Sequence, residues 1–333
     1  MAVVLEHRDA QVLVDELQGG KRRMSVRLFD KSAFMPIASL ETAYPESLIR
    51  QVLEVKGPAF LCDEIARDED PSYVHRSLCN VIFAHTDEDS FRGKSILDFG
   101  CGCGSSSMVL GRLFPGAEIV GAELTARSIS VARARAEHYG FSNISFHVSP
   151  SGEELPKGIG PFDFVIMSGV YEHLLPRERQ VVMPLIWSVL KPGGILFLDQ
   201  TPHRYFFAES HTTGLLFINY LPDRLALLCA RKFSRRVAAD ESWAALLRTG
   251  IRGGTVREIT SIIKSKARGM PMLLKPCRLG FRDAIDVWYA QPSWEKNLTL
   301  KRWLRYMLKV LKYTSGVTLV PSLSIAIKKL DGQ

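Results

Sequence analysis

Long uncharged runs are missing from this 333-residue chain. No stretch without Lys, Arg, Asp or Glu exceeds fifteen residues, and the two that reach it, 138–152 and 313–327, are broken by polar residues, Gly and Pro. A membrane-spanning helix needs about 20 apolar residues, so none is predicted. The start is charged by Glu6 and lacks the apolar segment of a signal peptide. The six cysteines, at 62, 79, 101, 103, 229 and 277, include no C-x-x-C pair. That spacing argues against a cysteine metal site and leaves reduced thiols in a cytoplasmic protein as the expectation. No metal site is expected.

What is present is an ordinary globular composition, 46% hydrophobic and 23% charged, on a chain long enough for about two domains or one with large additions. The charge is divided unevenly. Residues 1–200 carry 20 Lys and Arg against 26 Asp and Glu, a net of −6, whereas residues 201–333 carry 23 against 9, a net of +14. A basic C-terminal part suggests an anionic partner: a phosphorylated or nucleotide-linked substrate, a membrane surface or nucleic acid. The competing reading is a solvated basic face.

The most informative stretch is 94–107, Lys-Ser-Ile-Leu-Asp-Phe-Gly-Cys-Gly-Cys-Gly-Ser-Ser-Ser. Ser95-Ile96-Leu97 suits a buried strand that Asp98 ends. Gly100, Gly102 and Gly104 follow at alternate positions, where positive φ and the close approach of a ligand are both allowed. The three serines then offer caps to a helix beginning at Met108. A dinucleotide fingerprint wants G-x-G-x-x-G, but its third glycine would fall on Ser105. Further along, Glu118–Glu123 reads as a second strand ending in an acid, Ile144–Val148 as a third strand, and Phe162–Met167 as a fourth followed by Ser168-Gly169-Val170-Tyr171-Glu172-His173. Lys191-Pro192-Gly193-Gly194 then turns into a fifth strand, Ile195–Asp199.

These four features, in this order over residues 94–201, resemble class I S-adenosylmethionine (SAM) dependent methyltransferases. The resemblance implies a doubly wound α/β fold, Rossmann-like, with a mostly parallel seven-stranded sheet, and SAM as cofactor. It implies cofactor contacts at Asp98, Gly100, Cys101, Gly102 and Gly104. The helix N-terminus after the glycine loop attracts the cofactor's carboxylate, and Asp98 can answer its ammonium. Glu123, followed by Leu124, offers a carboxylate matched to a ribose diol. The segment 149–156 departs from the family. Where an Asp usually accepts from the adenine amino group this chain has Ser151, so that contact falls to its hydroxyl, a backbone carbonyl near Gly152, or Glu153. Ser168 and Gly169 close the list. The N/D-P-P-Y/F turn of enzymes that methylate exocyclic or amide nitrogens is absent, since Ser168-Gly169-Val170-Tyr171 has neither proline.

After the fifth strand, Thr201–Pro222 mixes His203, Arg204, Tyr205, Glu209 and His211 with apolar residues. It resembles a Pro-x-Arg-Tyr-Phe…Glu-x-His-Thr…Leu-Pro segment of some bacterial methyltransferases associated with cell-envelope glycan and lipid synthesis. Strand ends of open α/β sheets face the ligand crevice, so this segment should cover the acceptor. An acceptor hydroxyl must lose a proton, a task suited to imidazole. The candidates are His203, His211 and His173, with Tyr205 and Tyr171 lining the pocket.

The chain is therefore divided into an N-terminal helical region (1–92, with a short helix near 9–17 and helices over 41–92), a cofactor-binding core (93–201), a substrate-covering insertion (202–250, helical over 223–250) and a C-terminal part completing the sheet (251–333). In the helix from Leu300, Trp303, Leu304, Met307 and Leu311 form an apolar stripe opposite Lys301, Arg302, Arg305, Lys309 and Lys312. That stripe is expected either to pack on the protein's own sheet or to lie on an anionic inner-membrane surface. The expected function is methyl transfer to a small acceptor, anionic or lipid- or nucleotide-linked, at a hydroxyl. Carbon or nitrogen methylation and a non-catalytic SAM-fold partner protein are the rivals. DNA is not an expected partner, and RNA is disfavoured by the lack of an RNA-binding module.

Overall fold

The computed structural model describes residues 2–30, 33–266, 268–292 and 297–330. The chain opens with a four-stranded antiparallel meander: β1 (Ala2–His7), β2 (Ala10–Glu16), β3 (Arg22–Leu28) and β4 (Ser39–Thr42). The helix expected near 9–17 is thus a strand. Ala10, Val12 and Val14 are buried while Gln11, Leu13 and Asp15 are exposed, a period of two that a helix would scatter over opposite faces. Their buried face packs on α1 (Glu46–Lys56) and α2 (Pro58–Glu69) through Leu48, Val52, Leu61 and Ile65. Asp70 caps the following turn, accepting from the Ser72 N–H at 2.8 Å, and α3 (Arg76–Phe83) completes the helical cover.

The main sheet has seven strands. In spatial order they are β10 (Met270–Leu273), β11 (Ser322–Leu330), β9 (Leu190–Pro202), β8 (Phe162–Ser168), β5 (Ser95–Phe99), β6 (Glu118–Glu123) and β7 (Ile144–Val148). The five strands β5 to β9 run parallel, and β11 is antiparallel to both of its neighbours. The chain winds from β5 outward through β6 and β7, then returns to β8 on the other side. The carboxyl ends of β5 and β8 therefore face a crevice at the point where winding reverses, the ligand position in open α/β sheets. The central strands are apolar on both sides, as burial between helix layers requires. Lys191–Gly194, expected as a turn, forms a bulge inside β9, between the pairs Phe162–Leu190 and Phe164–Ile195.

Flanking helices are α4 (Ser105–Leu113), α5 (Ala126–Tyr139) and α6 (Pro176–Val189). In the insertion the expected continuous helix is two, α7 (Asp223–Phe233) and α8 (Trp243–Arg248). Ser242 starts the second by accepting from the Ala245 N–H. Helices α9 (Val256–Lys266), α10 (Ala284–Ala290) and α11 (Leu298–Ser315) follow.

Most of the apolar stripe of helix α11 faces outward, against the expectation that it packs on the protein's own sheet. Trp303 and Met307 are 64% and 59% exposed, whereas Lys301 is buried and donates to the Gln291 carbonyl at 2.5 Å. Arg305 pairs with Asp286 at 2.8 Å, and Lys309 and Lys312 pair with Asp283 at 2.8 and 2.6 Å. Two acids at the start of α10 draw the basic face inward. Only Leu304 and Leu308 of the apolar residues turn toward the core.

Candidate functional site: a glycine loop and two joined cavities

The loop after β5 is built as its residues suggest. Gly100, Gly102 and Gly104 have φ of 72°, 54° and 85°. A Cβ on Gly104 would lie 2.8 Å from the Ala132 Cβ and 3.0 Å from its Cα, so helix α5 sits against the loop there. A Cβ on Gly102 would meet nothing within 4 Å. The loop is thus packed at Gly104 and open toward the crevice at Gly102. Asp98 does not reach that crevice. It is fully buried, and its Oδ2 accepts from the hydroxyls of Ser106 and Ser107 at 2.7 and 2.6 Å. It anchors the first turn of α4 from below. Burial pushes its carboxyl up to about 6, against the pull of the two serine hydrogen bonds. Cys101 and Cys103 are buried in the same loop, and burial raises both thiols.

Glu123, at the end of β6, faces the loop. Its Oε2 accepts from the Gly102 N–H at 3.2 Å, and its Oε1 accepts from the N–H groups of Leu124 and Thr125 at 2.8 and 3.2 Å. Leu124 is half exposed, and its Cδ1 lies about 4.0 Å from where a Gly152 Cβ would stand. Residues 124 and 152 therefore lie side by side at the ends of β6 and β7. Ser151 closes its own turn, its Oγ accepting from the Glu153 N–H at 3.3 Å and donating to Glu154 at 3.4 Å. Glu153 points outward near Arg177.

Two cavities meet in front of these strand ends. One, of about 440 Å³, is lined by the glycine loop, Ser168, Gly169 and the α2 residues Asp63, Glu64 and Arg67. The other, of about 720 Å³, is walled by Tyr73, Trp288, Pro202 and Pro321 together with Asp63, Asp70 and Ser210. Asp63, Gln200 and His211 line both. Gln200 holds a left-handed backbone, φ 62°, and donates to the Ser77 hydroxyl at 2.9 Å, a conformation that non-glycine residues hold only where surroundings enforce it.

The N-terminal helices contribute charge that motif reading did not foresee. Glu64 is buried and ties α2 to the loop, accepting from Arg135 and Ser105 at 3.0 and 2.9 Å and pairing with Lys56 at 3.0 Å. Burial alone would raise its carboxyl, but Arg135, Lys56 and Arg67 outweigh it and hold it at about 2. Asp199, at the end of β9, is also fully buried and accepts from Ser77, Ser324 and Gln291 at 2.7, 2.5 and 3.2 Å. Burial lifts its carboxyl to about 6, against the pull of these hydrogen bonds. A lone Asp or Glu carries no sequence signal of such burial.

The three candidate histidines and the two tyrosines expected around the acceptor divide. His211 and His173 come together, ring centroids 5.5 Å apart, beside buried Glu172. His203 and Tyr205 lie outside both cavity linings. The His203 Nδ1 accepts from the Tyr205 N–H at 3.1 Å, so that nitrogen is taken, and burial lowers its ring to about 4. The Tyr205 ring is exposed beside Arg204. Tyr171 is buried under Gly254, with the Arg179 guanidinium over its ring.

Residues 96–194 match the family described as "Methyltransferase domain". These residues are a class I SAM-dependent methyltransferase domain. The chain is 34% identical over 166 residues to the ubiquinone biosynthesis O-methyltransferase of Roseobacter denitrificans, covering 49% of this chain and 62% of the relative. It is 32% identical over 131 residues to the mitochondrial ubiquinone biosynthesis O-methyltransferase of Rattus norvegicus, covering 38% and 36%. The chain thus spans about half the length of these curated relatives. A solved structure of the plantazolicin methyltransferase BamL, in complex with a triazolic desmethylPZN analog and SAH, overlays 85% of this chain and 95% of its own at 17% identity, TM-score 0.46.

The methyltransferase domain's residues fit SAM. The open face of Gly102 leaves room for a nucleoside that a side chain would fill, and Glu123 is fixed beside it with two carboxylate oxygens. Lys56 and Arg67 line the 440 Å³ cavity beside Asp63 and Glu64. Asp98 is buried beneath the loop and bonded to Ser106 and Ser107.

Proposed function

We propose that this protein methylates a hydroxyl oxygen on a small, uncharged or weakly charged acceptor held in the 720 Å³ cavity. The observation that carries this reading is the meeting of the two cavities at His211, Gln200 and Asp63, with the glycine loop on one side only. When bound, SAM supplies a methyl carbon on a sulfonium, whose carbon–sulfur bond breaks as the carbon–oxygen bond forms. The chain's own tasks are to orient the acceptor and to let its hydroxyl lose a proton. Alignment of the reacting atoms is worth several orders of magnitude in rate. Tyr73 and Trp288 offer apolar walls for a ring or chain, and Ser210 and Gln200 offer hydrogen bonds to its polar groups. The proton is lost beside Glu172, His173 and His211, the titratable cluster at the junction.

Charge argues about the acceptor's class. Among the described residues, those lining the larger cavity include Asp63 and Asp70 and no Lys or Arg, which disfavours the anionic acceptor expected from composition. Part of the C-terminal positive charge is paired with acids of the first two hundred residues, as at Arg248 with Glu178 and Arg278 with Asp87. The ubiquinone-biosynthesis O-methyltransferases among the relatives support transfer to oxygen. The test is incubation with SAM and a panel of phenols, catechols and aliphatic alcohols, with products read by mass and NMR. A methyl on oxygen supports the reading. A methyl found only on nitrogen or carbon contradicts it.

A further inference from the structure

Glu172, His173 and His211 each present one potential ligand atom, all within 4.8 Å of one another, on the wall of the 440 Å³ cavity where His211 also opens to the larger one. Three observations separate this group from a chance cluster. First, the Glu172 carboxylate is buried, 1% exposed, and no Lys or Arg side chain bonds it among the described residues. Its Oε2 accepts from the Thr201 hydroxyl at 3.0 Å, and its Oε1 lies 3.9 Å from the His173 Nε2. The neighbouring Arg179 is bound to Glu258 and to main-chain carbonyls of Leu174 and Glu172. A buried carboxylate left in that state wants a cation. Second, the His173 Nδ1 lies 2.6 Å from the Arg248 carbonyl. The ring proton belongs there, which leaves the Nε2 lone pair directed at the group. Third, Gly250 stands behind the pair with φ 92°. A Cβ there would lie 2.8 Å from the His211 Cδ2 and 3.1 Å from the Glu172 Cγ. Only glycine lets the imidazole and the carboxylate share that space.

We propose that Glu172, His173 and His211 bind one divalent cation of the zinc class, with a coordination position open to the acceptor cavity. Two imidazoles and a carboxylate are a donor set of catalytic zinc sites, which leave the fourth position for a ligand. Bonds of about 2 Å to a tetrahedral ion set donors roughly 3.3 Å apart, so the side chains close inward by about 1 Å on binding. The inference rests on the oxygen-methylation reading. A cation at the junction lowers the pKa of a hydroxyl placed beside it, and the released proton leaves to solvent. The sequence expectation of no metal site came from the cysteines, which play no part here.

The test uses chelator-treated full-length protein titrated with Co2+, followed by visible absorption. One equivalent should develop a d–d band that Zn2+ abolishes by competition. The band should be lost in His211→Ala and in Glu172→Gln, while circular dichroism stays as in wild type. His211→Asn serves if the alanine variant does not fold. A folded wild type without the band overturns the site. So does a band that survives in both variants, or one with the strong near-ultraviolet transition of cobalt–thiolate, which would place the ion on cysteine. Cobalt binding without any O-methylated product contradicts the functional reading alone. Undiminished O-methylation by metal-free protein contradicts the metal's role alone.

Discussion

Gly104 is the residue at which loop shape and packing are least separable. Its φ of 85° and the 2.8 Å approach to Ala132 act together. Gly104→Ala should cost about 2–4 kcal/mol, from the left-handed backbone and from overpacking, read as a lower midpoint in urea unfolding. An unchanged midpoint would mean the loop is free to shift. Asp199 makes a different prediction. Its folded carboxyl, at about 6, lies above the ordinary 3.8. The folded state therefore holds the extra proton, and this contribution to stability is present below pH 4 and lost as pH rises through about 6. Asp98 adds to the same window with the same sign. Asp199→Asn keeps a neutral hydrogen-bonding group in place. The stability difference between variant and wild type should move in the variant's favour between pH 4 and 7. A difference constant across that range would contradict a proton held by Asp199. The glycine spacing could be read from the sequence because the chemistry of a tight turn restricts residue type. The burial of Asp98 and Asp199, and the gathering of His173 with His211, could not. They depend on which long-range neighbours the fold supplies.

At the level of elements, helix α11 shows how a periodicity can be legible while its orientation is not. The apolar and basic stripes are where the sequence put them, but Asp283 and Asp286, a dozen or more residues upstream, decide which stripe turns inward. Asp283 also caps α10, accepting from the N–H groups of Ile285 and Asp286 at 3.1 and 3.2 Å. Asp283→Ala should cost about 1–2 kcal/mol, mostly the cap, with the partly exposed ion pairs adding at most about 1. Lys312→Ala should cost less. Thermal unfolding of the two variants tests the order, and equal losses would assign the effect to the ion pair rather than the cap. The Asp283 carboxyl is held at about 2, since hydrogen bonds from Lys309 and Lys312 outweigh its burial. Its contribution is therefore present above pH 4 and fades as pH falls through 2. The first forty residues show the opposite difficulty. Their alternation of buried and exposed residues is strand-like, but hairpins are short, and the pairing of β1 to β4 becomes stable only on the helices behind it.

For the whole molecule, the sheet order places the carboxyl ends of β5, β6, β8 and β9 around one crevice. The N-terminal helices bring Lys56, Glu64 and Arg67 to it, and the insertion brings His211. The five parallel strands were legible because each motif marks a strand end. The second cavity was not legible, since Tyr73, Trp288 and Pro321 meet only through packing between distant parts of the chain. The central claim is that SAM is held between Gly102 and Glu123, and calorimetric titration with S-adenosylhomocysteine (SAH) tests it most directly. Wild-type protein should bind one equivalent at micromolar affinity. Glu123→Ala, at a half-buried position that should tolerate the change, should bind about 10- to 100-fold more weakly, the effect of losing hydrogen bonds to a charged group. A folded wild-type protein that binds no SAH, or a Glu123→Ala variant that binds it equally well, would contradict the site.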